Sequence, residues 1–207
     1  MKIIDALSMD GFPVEIPDCG RDDLPQFFVD MGFKVGAEIG TAKGEFAEGF
    51  CKVGLQLFCI DSWRKYPDYD DEHNMQERLD SEYEETKERL KSYDCTIIRK
   101  TSMEAVNDFA DDSLDFVYID GHHGFKYVAE DICEWTKKVR KGGVISGHDY
   151  FIPLKPYREA AYVLHTKYVV DAYTKAMRMK KWFVIGRKNK VDGEKRDNFR
   201  SFFWIKE

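Results

Sequence analysis

Three of the five histidines in this 207-residue chain fall in two short motifs, Tyr118-Ile119-Asp120-Gly121-His122-His123 and Gly147-His148-Asp149-Tyr150. Imidazoles titrate near neutral pH, and carboxylates accept protons or bind hard cations. Together the motifs describe a site for proton transfer or for an oxygen-rich divalent ion. A third constellation is Glu38-Ile39-Gly40-Thr41-Ala42-Lys43-Gly44-Glu45. Glycines at a strand-to-helix turn let a ligand approach the backbone, and the helix start offers free N–H groups. The spacing is not G-x-G-x-x-G and no G-K-[ST] follows. This argues against a nicotinamide-dependent oxidoreductase and against a phosphate-binding P-loop. Asp61 lies 21 residues beyond Gly40. An acid at that place in a doubly wound sheet accepts both hydroxyls of a ribose, or, with Ser62, caps a turn.

These residues need a scaffold that brings them to one edge, and the apolar pattern supplies it. Short, mostly apolar runs recur at 35–39, 55–60, 95–98, 116–119 and 144–146. They are too short for helices and too continuously apolar for a wetted sheet face, so they read as buried parallel strands. Helical periodicity lies between them: Leu24, Phe27, Phe28 and Met31; Phe46, Phe50 and Val53; Leu79, Tyr83, Thr86 and Leu90; and the strong stripe Phe125, Val128, Ile132, Trp135 and Val139. The last of these ends in Lys137, Lys138, Arg140 and Lys141, with Gly142-Gly143 expected as the helix stop. A further helix with Val163, Val170, Tyr173 and Met177 on one face precedes two runs, 182–185 and 201–205, expected to pair antiparallel. The expectation is an α/β fold: a doubly wound, mostly parallel seven-stranded sheet with a terminal antiparallel strand. Residues 1–20, with Pro13 and Pro17, read as an irregular leader, and 21–207 as a single domain. Residues 62–93 form a lid-like insertion whose first part, 63–74, is expected to be mobile.

Composition narrows the functional classes. Hydrophobic residues make up 43% and charged ones 34%, enough for a core. No apolar run reaches the roughly 20 residues of a membrane helix, and the N-terminus lacks a signal-peptide pattern. Cys19, Cys51, Cys59, Cys95 and Cys133 are odd in number and never in C-x-x-C, which fits reduced thiols in a cytoplasmic protein. The net charge of −6 is uneven: residues 151–207 hold 14 Lys and Arg against 6 Asp and Glu, and the remainder 18 against 32. A basic tail could steer an anionic partner, nucleic acid included, through Arg187, Lys188, Lys190, Lys195, Arg196 and Arg200; the plainer reading is a solvated surface.

The segment Val35-Gly36-Ala37-Glu38-Ile39-Gly40-Thr41-Ala42-Lys43-Gly44 resembles motif I of class I S-adenosylmethionine-dependent methyltransferases, and Asp61 matches the ribose-binding acid of that family. Residues 115–123 and 141–150 are similar to the small-molecule O-methyltransferase-like branch that includes macrolide-sugar O-methyltransferases. The resemblance covers about residues 21–207 and implies a Rossmann-like methyltransferase fold, with possible homo-oligomers. It implies S-adenosylmethionine bound by Glu38, Gly40, Thr41, Gly44, Asp61, Ser62, Thr101, Ser102 and Asp120, the adenine lying near Thr101-Ser102-Met103. Metal-dependent relatives place ligands for Mg²⁺ or another divalent cation where Asp120, His148 and Asp149 fall. Their ligands are acids or an amide, whereas this chain has His148 in one place, and His122 where relatives often have Asp. Methyl transfer to a hydroxyl needs positioning and deprotonation of the acceptor. His123 is the first candidate base, followed by His122 and His148; a divalent ion is the other route. Two acids on one edge with no cation nearby would repel each other, which favours the ion. A small-molecule acceptor, a sugar or other hydroxylated metabolite, is the leading expectation. The alternatives are a nucleic-acid methyltransferase and a non-catalytic cofactor-binding protein.

Overall fold

The computed structural model describes residues 1–66, 75–152 and 164–207. Eight strands make one sheet: β1 (Val14–Ile16), β2 (Val35–Ile39), β3 (Gln56–Asp61), β4 (Cys95–Arg99), β5 (Leu114–Ile119), β6 (Val139–Gly147), β7 (Phe183–Ile185) and β8 (Phe202–Ile205). Their order is β1-β7-β8-β6-β5-β2-β3-β4, and β8 alone runs against its neighbours β6 and β7. The expected doubly wound sheet with its antiparallel terminal strand is present, with eight strands rather than seven.

Among the described residues, six α-helices pack on the sheet: α1 (Leu24–Asp30), α2 (Glu45–Lys52), α3 (Gln76–Leu90), α4 (Ser102–Ala105), α5 (Phe125–Lys138) and α6 (Thr166–Ala176). Side chains of a strand alternate between faces, and β5 is apolar on both. Phe116 and Tyr118 join the core that holds Phe27, Phe28 and Phe50 of α1 and α2; Val117 and Ile119 join the core that holds Ile132, Trp135 and Val170 of α5 and α6. Burying a side chain such as Ile132 or Phe28 contributes about 1.5–3 kcal/mol. The chain winds from β2 through β3 to β4, then returns to place β5 on the other side of β2. The connections after β2 and β5 therefore leave in opposite directions, and the crevice between them opens at the strands' carboxyl ends.

The sequence and the structure part at three places. Residues 1–20 hold the eighth strand: β1 pairs with β7, and Ile3, Ala6, Val14 and Ile16 are buried in the core. Pro13 and Pro17 bracket a three-residue edge strand, a position where a missing N–H costs little. Gly142 and Gly143 do not stop α5. Helix and strand abut at Lys138 and Val139, and both glycines lie within β6 beside a register shift opposite Leu114–Phe116. A Cβ on Gly143 would come within 2.4 Å of the Asp115 carbonyl oxygen, so close backbone approach is what glycine permits there. Trp63, the expected start of a mobile segment, is wholly buried, and α3 occupies 76–90; the remainder of that segment, 67–74, lies outside the described residues, as does Val163.

Candidate active site

The turn after β2 is built for close approach. Gly40 has φ +89°, and a Cβ on it would meet the Asp120 carbonyl oxygen at 2.2 Å, so the ends of β2 and β5 can touch only through glycine. Gly44, with φ +72°, then caps α2. Asp61 ends β3 and anchors this turn: Oδ1 accepts the Trp63 N–H at 2.8 Å and Oδ2 the Ala42 N–H at 3.0 Å. The Ala42 carbonyl in turn accepts the Trp63 indole N–H at 2.9 Å and the Thr86 hydroxyl at 2.6 Å. Turn-capping and ligand-binding are thus not exclusive roles for Asp61, because each carboxylate oxygen keeps a second lone pair. Burial pushes its pKa above the ordinary carboxylate range, against these N–H bonds.

Between the ends of β2, β3, β4 and β5 lies a cavity of about 400 Å³. Of the expected cofactor residues, Gly40, Asp61, Ser62, Thr101, Ser102 and Asp120 line it; Glu38, Thr41 and Gly44 do not. Glu38 is 2% exposed, and its Oε2 and the Thr41 Oγ1 are buried without a hydrogen-bond partner among the described residues. Burial, reinforced by the charge of Asp120, raises the Glu38 pKa well above its usual value. Thr101 caps α4, its hydroxyl accepting the Glu104 N–H at 3.3 Å while Glu104 accepts the Thr101 N–H at 2.9 Å.

Asp131 of α5 also lines the cavity, and the motifs gave no notice of it. Its signal was present in the periodicity: three residues after Val128 and four before Trp135, an acid occupies the buried face of the helix. The Ser102 hydroxyl donates to Asp131 Oδ1 and accepts the Trp135 indole N–H at 2.7 Å. Burial pushes the Asp131 carboxyl up to about 7.

The histidines divide. His122 faces the cavity, with its ring centroid 3.9 Å from that of Tyr127. Its Nδ1 accepts the Gly124 N–H at 3.0 Å, which puts the proton of the neutral ring on Nε2. His123 and His148 flank Asp149, one on each carboxylate oxygen: His123 Nε2 lies 3.1 Å from Oδ2 and His148 Nδ1 3.2 Å from Oδ1. His148 Nδ1 is also 3.8 Å from Asp120 Oδ1. Burial opposes a charge on His148, but the bond to Asp149 and the field of Asp120 outweigh it and raise its pKa. Burial likewise works against an ionised Asp149, and the two histidines overcome it, holding Asp149 below the usual range. Asp120 is raised, by burial first and by Asp149 second.

The set of donors able to surround one cation is Asp120, His123 and Asp149, with their ligand atoms within 4.8 Å of one another. His123 rather than His148 of the expected trio lies in this cluster, while His148 approaches both acids from outside it. The expected absence of a nearby cation also needs correcting. Arg21, from the leader side, places Nη1 3.5 Å from Asp120 Oδ2 and its guanidinium 5.0 Å over the Phe46 ring. Nothing local in the sequence marks Arg21, because 99 residues separate it from Asp120.

A family profile described as "Methyltransferase domain" matches residues 37–150, a span that holds every candidate site residue from Glu38 to Asp149. Among curated proteins, the "Uncharacterized protein y4gI" of Sinorhizobium fredii is 27% identical over 124 residues, or 54% of this chain; the chain spans 12% of that protein's length. Among solved structures, the O-methyltransferase TomG of Streptomyces achromogenes, described as involved in tomaymycin synthesis and in complex with S-adenosylmethionine, superposes with a TM-score of 0.61 at 13% identity, covering 90% of this chain and 79% of TomG. An O-methyltransferase of Bacillus cereus in complex with S-adenosylhomocysteine gives 0.60 at 11% identity, covering 98% and 86%. With the family match extending over more than half of its length, the chain belongs to the methyltransferase-domain family and has the class I fold of S-adenosylmethionine-dependent O-methyltransferases.

Proposed function

We propose that the chain transfers a methyl group from S-adenosylmethionine to a hydroxyl of a small molecule, a sugar or another hydroxylated metabolite, in the cytoplasm. The observation that carries this reading is the continuity between a cavity walled by Gly40, Asp61 and Asp120 and the histidine–carboxylate cluster that begins at Asp120 itself. The residues present suit the cofactor: Asp61, on the cavity wall, has lone pairs to spare for two ribose hydroxyls. When bound, S-adenosylmethionine supplies an electrophilic methyl carbon for in-line displacement. The chain's own work is to hold the acceptor oxygen in line and to take its proton.

His123 is the residue proposed to take that proton. Asp149 orients its ring through Nε2 and stabilises the imidazolium that forms, the relation of base to orienting acid. A second reading has its own observation. Two carboxylates and an imidazole within 4.8 Å are a donor set that fits a divalent cation, and Asp120, His123 and Asp149 would hold it. Such an ion would lower the acceptor's pKa as a Lewis acid. For the acceptor, a small molecule is favoured over nucleic acid, because half of the six basic residues of the tail are engaged by carboxylates: Lys195 with Asp23 at 2.8 Å, Arg200 with Glu15 at 2.8 Å and Arg187 with Glu194 at 4.0 Å. No described helix is long and apolar enough to cross a membrane.

The test is release of S-adenosylhomocysteine over a panel of sugars, catechols and other hydroxylated metabolites, with and without chelator. Turnover with any of them supports the reading, and full activity in chelator selects His123 without a metal. Turnover with an RNA or DNA panel alone would refute a small-molecule acceptor.

A further inference from the structure

The β4 side of the cavity holds a carboxylate that the proposed transfer does not use. We propose that Asp131 reads the exocyclic amine of the cofactor's adenine, its Oδ2 accepting an amine hydrogen, so that adenine is told from hypoxanthine. This rests on the S-adenosylmethionine reading above and adds to it the residue that selects the base.

Hydrogen-bond accounting fixes the direction. The Ser102 oxygen accepts the Trp135 indole N–H at 2.7 Å, and its own hydrogen goes to Asp131 Oδ1. Trp135 is fully buried on the inner face of α5, so neither donor is free to turn away. Oδ1 is therefore committed, and Oδ2 has no hydrogen bond among the described residues. Oδ2 faces Gly121, where an added Cβ would come to 3.9 Å; the glycine, itself a cavity residue, leaves that oxygen open. Ile60, Leu79 and Met103 supply apolar walls suited to a flat base, beside this one directional acceptor. Burial pushing Asp131 up to about 7 is the mark of a carboxylate short of donors. An amine hydrogen supplies one. The carbonyl oxygen of hypoxanthine would instead set lone pairs against lone pairs.

The test is calorimetry at pH 8.5, where the Asp131 carboxyl is ionised, of the wild-type chain with S-adenosylhomocysteine and with its deaminated analogue, S-inosylhomocysteine. The adenosyl compound is expected to bind about ten- to a hundredfold tighter, the range of one hydrogen bond to a charged group. Asp131→Asn should invert the preference. The Ser102 hydrogen selects the amide oxygen, which turns the NH₂ toward the cavity, where it opposes the adenine amine and matches the hypoxanthine carbonyl. Asp131→Ala, read beside it and in its place if the first variant does not fold, should erase the preference without inverting it. Equal binding of the two compounds to wild type, or a wild-type preference kept by either folded variant, would overturn the assignment of Asp131 alone. Failure of both to bind the wild-type chain would overturn the cofactor reading and this assignment with it.

Discussion

Two regions of the molecule gather charge, and they do opposite things with it. The seam between leader and tail ties several charged groups to partners. Lys195 Nζ meets both oxygens of Asp23 at 2.8 and 2.9 Å, and Glu15 meets Arg200 at 2.8 Å and the Lys188 N–H at 3.0 Å. The Asp18 N–H reaches Glu194 at 3.1 Å. An exposed pair such as Lys195–Asp23 contributes about 0–1 kcal/mol. At the carboxyl ends of β2 to β6 the acids are buried instead, and Glu38 and Asp131 keep oxygens unused. The paired basic residues of the tail thus act as a fastening, while the proposed chemistry lies where charge is desolvated. The seam serves the site in one respect: the Arg21 N–H is held by Asp197 at 2.6 Å, which sets its side chain over Asp120.

The largest expected effect breaks the desolvated side. His123→Ala should lower methyl transfer by about 10²–10⁴-fold, the usual worth of a positioned base. Because His123 does not line the cavity, S-adenosylhomocysteine affinity should stay within about twofold on the scale where 1.4 kcal/mol is tenfold. Steady-state rates and calorimetry on the same variant check both halves.

A smaller effect, on stability, comes from Asp131. Its pKa is about 7 in the fold against the ordinary 3.8, so the unfolded chain loses this proton first as pH rises. Stability from this group is full below the unfolded value, declines as pH climbs from about 4 to about 7, and is gone above. Three units correspond to at most about 4 kcal/mol. Urea denaturation of the ligand-free chain at pH 5 and pH 8 should show wild type losing more than Asp131→Asn; equal losses would contradict a buried, donor-poor carboxyl. The smallest effect belongs to the seam. Lys195→Gln should cost under about 1 kcal/mol, shrinking further in salt, and leave S-adenosylhomocysteine binding unchanged.

What was legible in the sequence was whatever a short stretch could encode. Apolar runs marked the inner strands within a few residues, since burial on both faces needs continuous Val, Ile, Leu and Phe. Gly40 and Asp61 were legible because a strand-end turn and the next strand's end fall at a set spacing. The convergence of the two acids was legible: Asp120 and Asp149 come together, but which imidazole, His123 or His148, completes a cluster with them depends on how each backbone leaves its strand. Asp149 sits in the left-handed region at φ +57°, a bend the motif does not announce. Arg21 stayed hidden because its partner is remote in sequence, and Asp131 because one acid on an apolar stripe carries no local mark that sets it apart from an ordinary helix. Strand β1 stayed hidden behind its prolines, which signal irregularity unless the edge they bracket is known.

The central claim is that the Gly40–Asp61 cavity holds S-adenosylmethionine, and titration calorimetry of S-adenosylhomocysteine against wild type and Asp61→Asn tests it most directly. The expected result is one-to-one binding to wild type, weakened in a folded Asp61→Asn by about 1.5–3 kcal/mol, roughly ten- to a hundredfold, for the loss of a charge-assisted hydrogen bond to the ribose. No binding to wild type, or the same affinity in both chains, would contradict it.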